Sequence, residues 1–458
     1  MIGVSGIRGV IGTGFSPGMA LDFVQAYAAW LQKNGVSKPK VLLARDTRPS
    51  GEMMKHAVLA GLIGSGCDIV DLGIVSTPTL QLAIPKLQAD GAICITASHN
   101  PVEWNALKFF QSNGMYLDKA QGEAVLALHK SKDYVQSNWQ QMGAVSTCDD
   151  AIDWHLQRIL EFVDVEAIRA RHFNVVLDCC CGAGTTISPL LLDELGCSVA
   201  KINCDLTGHF PHNPEPLNEN LTQLCDAVQE HKADIGFAHD ADADRVALVT
   251  GEGLPIGEDY SLVWATAHTF KNKKRGPVVT NLSTTMAIDA LGREYSCDVF
   301  RAPVGDVNVS SMMKEKNAVI GGEGNGGVIM PEMQYGRDGI AALAYLLEFV
   351  ALSGKSASEL NKEIPRYFNI KKTIEFPKEK MPLLFQWLKS KEKTARIDER
   401  DGLKLEWPRE GHTTSWAHIR GSGTEPIMRV ICEAQTREEV ERLDRKIREE
   451  IEVFAQSW

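Results

Sequence analysis

The sequence predicts an α/β protein: three successive strand-helix units followed by a smaller α+β domain. Three observations lead there. The 458 residues exceed one domain and suggest about three or four. Short apolar runs alternate with helical periodicity, first between Val41 and Ile95 and again from Val175 onward, as in βαβ units. From about residue 366 the alternation gives way to longer strand-like runs and two helical ones.

Taken in order, Ser16 and Pro17 read as N-cap and N1 of a helix to about Asn34, with Gly35 just past its end. Val41 to Ala44 is a strand, Glu52 to Ile63 a helix and Asp68 to Leu72 a strand. Ala92 to Ile95 is a short apolar run that reads as a buried strand. The polar segment Ser131 to Asp150 suits a linker or a connecting helix. In the second unit, Val175 to Asp178, Val199 to Asn203, Ile235 to Ala238 and Val246 to Thr250 are strands, and a helix ends near Glu194. His209 and His212 fall in the loop Gly208 to Pro216 and read as loop polar residues, not ligands. The third unit runs from about Pro255 to Pro365, with a strand at Pro277 to Asn281 and a loop at Val304 to Val307. Beyond it, strand-like runs lie near Ile374, Leu405 and Ile419, and helices near Leu384 and at the end. Thr436 with Glu439 forms a capping box for that last helix, which reaches about Phe454.

Composition narrows the function classes. A net charge of −11 without a Lys/Arg-rich run argues against nucleic acid or an anionic membrane as partner. No apolar stretch approaches a membrane span, and the opening Met-Ile-Gly-Val-Ser-Gly has no signal-peptide pattern. The eleven cysteines are odd in number, and Cys179-Cys180-Cys181 is a triple, not a C-x-x-C pair. Neither a zinc site nor a disulfide framework is indicated; reduced thiols in a cytoplasmic protein are.

Four polar stretches carry the chemistry. The first, Thr96-Ala97-Ser98-His99-Asn100-Pro101, places a hydroxyl on a turn at the carboxyl end of a strand, where open α/β sheets hold their sites. The second, Asp240-Ala241-Asp242-Ala243-Asp244-Arg245, sets three carboxylates at alternate positions. Their repulsion would raise their pKa values unless a cation sits among them. An EF-hand fails, because loop position six is Arg245 and position twelve is Gly251. A compact oxygen site for a hard divalent ion such as Mg²⁺ remains. In the third, Gly321 to Gly327, a formal G-x-G-x-x-G leads into the β-like run Val328 to Pro331 and not into a helix, so it is no dinucleotide fingerprint. It leaves Glu323 and Asn325 on a thin backbone, suited to bonding neighbouring hydroxyls. The fourth, Arg420-Gly421-Ser422-Gly423-Thr424-Glu425-Pro426-Ile427-Met428-Arg429, has the hydroxyls, amides and flanking arginines of a phosphate cradle without the lysine of a P-loop. The glycine-rich opening adds Arg8, between Gly6 and Gly9. Alone, each stretch is also compatible with an ordinary solvated turn.

Together and in this order, the four stretches resemble the α-D-phosphohexomutase family, which includes phosphoglucosamine mutase, phosphomannomutase and phosphoglucomutase. The resemblance implies four domains around a central cleft, at 1–145, 146–254, 255–365 and 366–458. It implies a phosphorylated Ser98 as the resting active form, and one Mg²⁺ per chain held by Asp240, Asp242, Asp244 and the Ser98 group. Arg8, Lys108 and Arg245 would offset phosphoryl charge, with Lys108 and His99 as candidates for moving the proton. Glu323 and Asn325 would bind sugar hydroxyls. Arg420, Ser422, Gly423, Thr424 and Arg429 would hold the phosphate that is not reacting. The implied partners are a sugar monophosphate and a sugar bisphosphate intermediate. Two places depart from the commoner family pattern: Asn105-Ala106 stands where Asn-Gly is frequent, and the sugar loop reads Glu323-Gly-Asn325-Gly-Gly327, without the histidine of the phosphomannomutase/phosphoglucomutase branch. The loop is closer to archaeal-type members. Glucosamine phosphate is favoured over mannose or glucose phosphate. A sugar-phosphate phosphatase with the same serine and metal, and a non-catalytic sugar-phosphate sensor, are the rival readings.

Overall fold

The computed structural model describes residues 2–3, 6–134, 136–409, 411–421 and 427–456. The chain forms two compact units, one of residues 1–268 with 325–363, the other of residues 269–324 with 364–458.

The first unit holds two sheets. The larger contains β1 (Ile2–Gly3), β2 (Gly6–Val10), β3 (Lys40–Arg45), β4 (Asp68–Ile74), β5 (Gly91–Ile95), β6 (Trp104–Gln111) and β7 (Val145–Thr147), in the order β1-β2-β6-β5-β3-β4-β7. Strands β5, β3, β4 and β7 run parallel, while β6 is antiparallel to both β5 and β2. Every residue of β5 is buried, as its apolar run requires. The helix Pro17–Lys33 starts where Ser16 Oγ accepts the amide of Met19, and its apolar face packs Phe23, Val24, Tyr27 and Leu31 into the core with Val41, Ile93 and Leu107. The segment Ser131 to Asp150 differs from expectation: it returns to the sheet as β7, pairing Ile69 with Val145 and Asp71 with Thr147. All three β7 residues are exposed, so no apolar alternation marks the strand.

The second sheet contains β8 (Asn174–Asp178), β9 (Ser198–Ile202), β10 (Ile235–His239) and β11 (Val246–Thr250), in the order β11-β10-β8-β9. Strands β10 and β11 are antiparallel neighbours. The acidic stretch 240–245 is therefore a hairpin loop, as the Ser98 turn between β5 and β6 is. The helix Gly339–Ser353 is buried along nearly its whole length. Among the described residues no single helix is long and apolar enough to cross a membrane.

In the second unit, Val278–Asn281 lies between Val299–Ala302 and Ile320–Glu323, all parallel. The loop expected at Val304 to Val307 ends early: Gly305, at φ +125°, makes the turn and a helix runs from Asp306 to Lys316. The C-terminal part is a five-stranded antiparallel sheet with helices Met381–Lys391 and Arg437–Ala455 packed on a core of Leu384, Leu388, Leu405, Ile419, Val430 and Ile447. Thr436 Oγ1 accepts the amide of Glu439, as the capping pattern predicts.

Candidate active site

Ser98 sits at the tip of the β5–β6 hairpin with φ +51°, a left-handed conformation uncommon for a residue with a Cβ. It is buried, its amide donates to Thr96 Oγ1 at 3.0 Å and its Oγ donates to Asp240 Oδ2 at 2.8 Å. Two loops 142 positions apart thus meet at one hydroxyl.

The acidic hairpin explains its own alternation. Asp240, Asp242 and Asp244 are all buried, each with a carboxylate oxygen within 4.8 Å of the others. The alanines between them lie close against the loop at residues 182–184. Ala183 donates its amide to the Ala241 carbonyl at 2.8 Å, and a Cβ on Gly182 would meet that oxygen at 2.6 Å. Ala243 lies at φ +54°, and a Cβ on Gly184 would come within 3.2 Å of its side chain. The carboxylates are poorly satisfied: among the described residues, Asp242 Oδ1 and Asp244 Oδ1 are buried without a hydrogen-bond partner. Buried unpaired carboxylate oxygens are costly, and a cluster of hard oxygen donors fits Mg²⁺. Burial, with Asp244 and Asp242 adding to it, pushes the Asp240 carboxyl well above its ordinary range. Burial pushes Asp242 the same way, but the Lys108 ammonium and the Thr77 hydroxyl prevail and hold it low, at about 2.

Cations surround the three carboxylates. Lys108, on β6, donates to Asp242 at 2.7 Å and lies 3.7 Å from Asp244. Burial disfavours its charge, yet Asp242, Tyr116 and Asp244 keep its pKa well above that of an ordinary lysine. Arg245 Nη2 donates to His99 Nδ1 at 2.8 Å. With Nδ1 accepting, His99 is neutral and carries its proton on Nε2; burial, then Arg245 and Arg8, push its pKa well below the usual value. His99 Nδ1 also lies 3.4 Å from Ser98 Oγ. Arg8 donates to Asn100 Oδ1 at 3.4 Å. The structure therefore brings Ser98, His99, Arg8, Lys108, Arg245 and the three aspartates together within the first unit.

It adds three residues that sequence reasoning missed. Arg337 donates to Asp244 Oδ2 at 2.6 Å. Thr77 donates its hydroxyl to Asp242 Oδ2 at 2.5 Å. Glu215 lies 3.8 Å from Arg245 and 3.9 Å from His99. None belongs to a motif, and each arrives through tertiary contact. His212, read as a loop residue, is tied down too: its Nε2 donates to Asp178 at 2.9 Å.

Asn325 also belongs to the first unit, where its Oδ1 accepts the amide of Gly327 at 3.2 Å. Glu323, Arg420 and Arg429 belong to the second unit. Glu323 is buried at the end of its strand, with Oε1 accepting from Asn281 Nδ2 and the Gly305 amide, both at 2.9 Å. Arg420 and Arg429 face each other across adjacent antiparallel strands. Like charges placed so are unfavourable unless an anion joins them. Asp401 meets Arg420 at 3.3 Å and also accepts the Val304 amide at 3.0 Å. Ser422, Gly423 and Thr424 lie outside the described residues.

Comparison with known proteins covers nearly the whole chain. Four family models of phosphoglucomutase/phosphomannomutase match in order: alpha/beta/alpha domain I over residues 1–136, domain II over 153–253, domain III over 257–368 and the C-terminal domain over 363–450. A phosphoglucomutase/phosphomannomutase of Thermococcus kodakarensis is 38% identical over 440 residues, 96% of this chain and 95% of that one. A protein of Methanopyrus kandleri described as a probable phosphoglucosamine mutase is 36% identical over 444 residues, 96% of this chain and 95% of that one. The crystal structure of a phosphoglucomutase/phosphomannomutase family protein from Burkholderia thailandensis superposes with a TM-score of 0.85 at 25% identity, covering 99% of this chain and 98% of that one.

Proposed function

The chain belongs to the phosphoglucomutase/phosphomannomutase family of phosphomutases, and on that premise we propose that it interconverts the 6- and 1-phosphates of a hexosamine through a phosphorylated Ser98. The observation that carries the reading is the 2.8 Å hydrogen bond from Ser98 Oγ to Asp240, the first carboxylate of a buried triple-aspartate hairpin. A phosphoryl group on Ser98 is transferred to the sugar hydroxyl, forming a bisphosphorylated sugar. Ser98 then takes back the other phosphate and leaves the isomeric monophosphate.

The residues divide the work by charge. Asp240, Asp242 and Asp244, with an oxygen of the Ser98 group, would hold one Mg²⁺, which when bound polarises the phosphoryl oxygens. Lys108 enters as an ammonium and, with Arg8 and Arg245, offsets charge spreading over the transferred group. Lys108 is also assigned to the proton transfer: it gives a proton to the departing seryl oxygen and takes up the one that the attacking sugar hydroxyl releases. His99, neutral and fixed by Arg245, carries its proton on Nε2 and is the second candidate for moving the proton. We assign Glu323 and Asn325 to the sugar hydroxyls, and Arg420, Ser422, Gly423, Thr424 and Arg429 to the non-reacting phosphate. The four-domain division at residues 145, 254 and 365 is retained as part of this reading, as is a cytoplasmic setting, which eleven cysteines without a disulfide support.

Glucosamine phosphate is the proposed substrate, supported by the Glu-x-Asn-Gly-Gly loop and by the name of the Methanopyrus relative. The Thermococcus relative's name favours mannose or glucose phosphate as the second reading. The test is a parallel assay of glucosamine, mannose and glucose 1- and 6-phosphates with wild type and Ser98→Ala. We expect the highest kcat/KM on glucosamine phosphate and no turnover by the variant. Full mutase activity of Ser98→Ala refutes the mechanism, and a preference for mannose phosphate moves the substrate to the second reading.

A further inference from the structure

The segment Arg45-Asp46-Thr47-Arg48-Pro49-Ser50-Gly51 contributes none of the groups assigned above, yet it contains a completely buried ion pair, Arg48 Nε to Asp46 Oδ2 at 3.0 Å. A buried pair costs desolvation and is retained where its remaining donors and acceptors are used. Those of Arg48 are used on one target. Nη2 donates to the carbonyls of Ser98 at 2.7 Å and Asn100 at 2.6 Å. Nη1 donates to the carbonyls of Pro101 at 2.5 Å and Trp104 at 2.9 Å. With Nε on Asp46, all five N–H donors of the guanidinium are engaged, four of them on the main chain of the hairpin that carries Ser98. The Phe210 ring, 4.9 Å away, covers the guanidinium.

Asp46 secures the same residue from its other side. Its Oδ2 accepts from Thr96 Oγ1 at 2.6 Å, and Thr96 Oγ1 accepts the Ser98 amide at 3.0 Å. The amide and the carbonyl of Ser98 are thus tied, through Thr96 and Arg48 respectively, to one carboxylate-guanidinium pair. Ser98 needs this. Its left-handed φ of +51° is a conformation that persists only when surrounding contacts over-determine it, and it aims Oγ at Asp240.

We propose that Arg48, with Asp46 and Thr96, is the positioning device that holds Ser98 in its left-handed conformation and so aligns the phosphoryl carrier with the metal hairpin. Arg48 touches no reacting atom. The inference rests on the carrier role proposed for Ser98. Lysine cannot replace it, because an ammonium has three donors and no planar fork.

The experiment compares Arg48→Lys, Arg48→Ala and Thr96→Val with wild type, all in full-length enzyme, with folding checked by circular dichroism and thermal melting. In folded Arg48→Lys we expect kcat to fall about 10²-fold, the effect of a misplacement near 1 Å, while KM stays within about twofold, since no substrate contact is lost. Added guanidinium ion should recover part of the activity of Arg48→Ala and none of that of Arg48→Lys. A folded Arg48→Lys with wild-type kcat, or one whose KM rises while kcat is unchanged, overturns the inference. If Arg48→Lys does not fold, Thr96→Val decides: a lowered kcat at constant KM supports the device, and an unchanged kcat overturns it. Ser98→Ala run in parallel separates the two levels. Full activity there overturns the carrier reading itself, whereas an inactive Ser98→Ala beside a fully active Arg48→Lys overturns only the role of Arg48.

Discussion

Replacing Asp240 by asparagine should make the protein no less stable without metal and much less responsive to Mg²⁺. The carboxylate oxygens of Asp240, Asp242 and Asp244 lie within 4.8 Å of one another. At an effective dielectric near 20, each such pair repels by about 3.5 kcal/mol, and Asp240 takes part in two. Arg245 Nε, 3.7 Å from Asp240, returns about 4.5 kcal/mol on the same scale. With the carboxylates at that limiting separation, neutralising a charged Asp240 removes about 2.5 kcal/mol of net repulsion, and more where the pairs are closer. The raised pKa of Asp240 works the other way, because a protonated carboxyl already repels less. In wild type, Mg²⁺ at a hundredfold excess over its Kd adds about 2.7 kcal/mol, or about 5–10 °C in Tm for domains of this size. Differential scanning calorimetry in EDTA and in Mg²⁺ measures both effects. The expected result is a metal-free Tm for Asp240→Asn at or above wild type, and a Mg²⁺ shift reduced by most of its size. A variant that melts well below wild type in EDTA, or gains as much from Mg²⁺, refutes the reasoning.

Other predictions concern the supports of the site. Gly182→Ala would push a Cβ to 2.6 Å from the Ala241 carbonyl and 2.8 Å from its Cα; backbone on both sides leaves only movement of the acidic hairpin. Steady-state assays should show kcat lowered about tenfold or more with the circular dichroism spectrum unchanged, and a wild-type kcat would contradict it. Arg420→Ala should raise KM for sugar phosphate about tenfold, the weight of one charge-assisted hydrogen bond; an unaltered KM removes Arg420 from phosphate binding. His212 gives a pH signature. Burial opposes its charge, but the Asp178 carboxylate and the Cys180 thiol prevail and push its pKa up to about 11 from 6.5. A raised pKa stabilises the fold fully below the unfolded value and loses that contribution as pH rises through the folded one. The Tm gap between wild type and His212→Asn should be widest near pH 6 and close as pH climbs from 6.5 towards about 11. A gap that widens with pH would show the sign to be wrong.

What the sequence made legible was local. A strand that is apolar throughout, then Thr-Ala-Ser-His-Asn-Pro, announces both β5 and its turn. Three aspartates separated by alanines announce a compact oxygen site, and the structure adds that they form the loop of the β10–β11 hairpin. Arg337 and Glu215 could not be read in this way, because an isolated arginine or glutamate in a loop has no periodicity and its partner is set by packing. Arg48 lies between a strand and a helix and belongs to none of the four stretches; its four carbonyl acceptors, at positions 98 to 104, exist only once the hairpin is folded. Strand β7 was missed because all its side chains face solvent. The helix from Asp306 reads as loop at its start because Gly305 and the β-branched Val304 and Val307 mask the first turn. Glu323 and Asn325, two positions apart, fall in different compact units, a division that their spacing does not suggest.

The most direct measurement follows the phosphoryl group itself. Purified enzyme is digested and mass-analysed at the Ser98 peptide, then mixed with less than one equivalent of glucosamine 1-phosphate in Mg²⁺, with Ser98 and the sugar sampled on the millisecond scale. The account predicts one phosphate on Ser98 at the start, its transfer to the sugar in a transient bisphosphate, and rephosphorylation of Ser98 by the sugar's original 1-phosphate as the 6-phosphate forms. Conversion of the sugar with Ser98 unmodified throughout would contradict it.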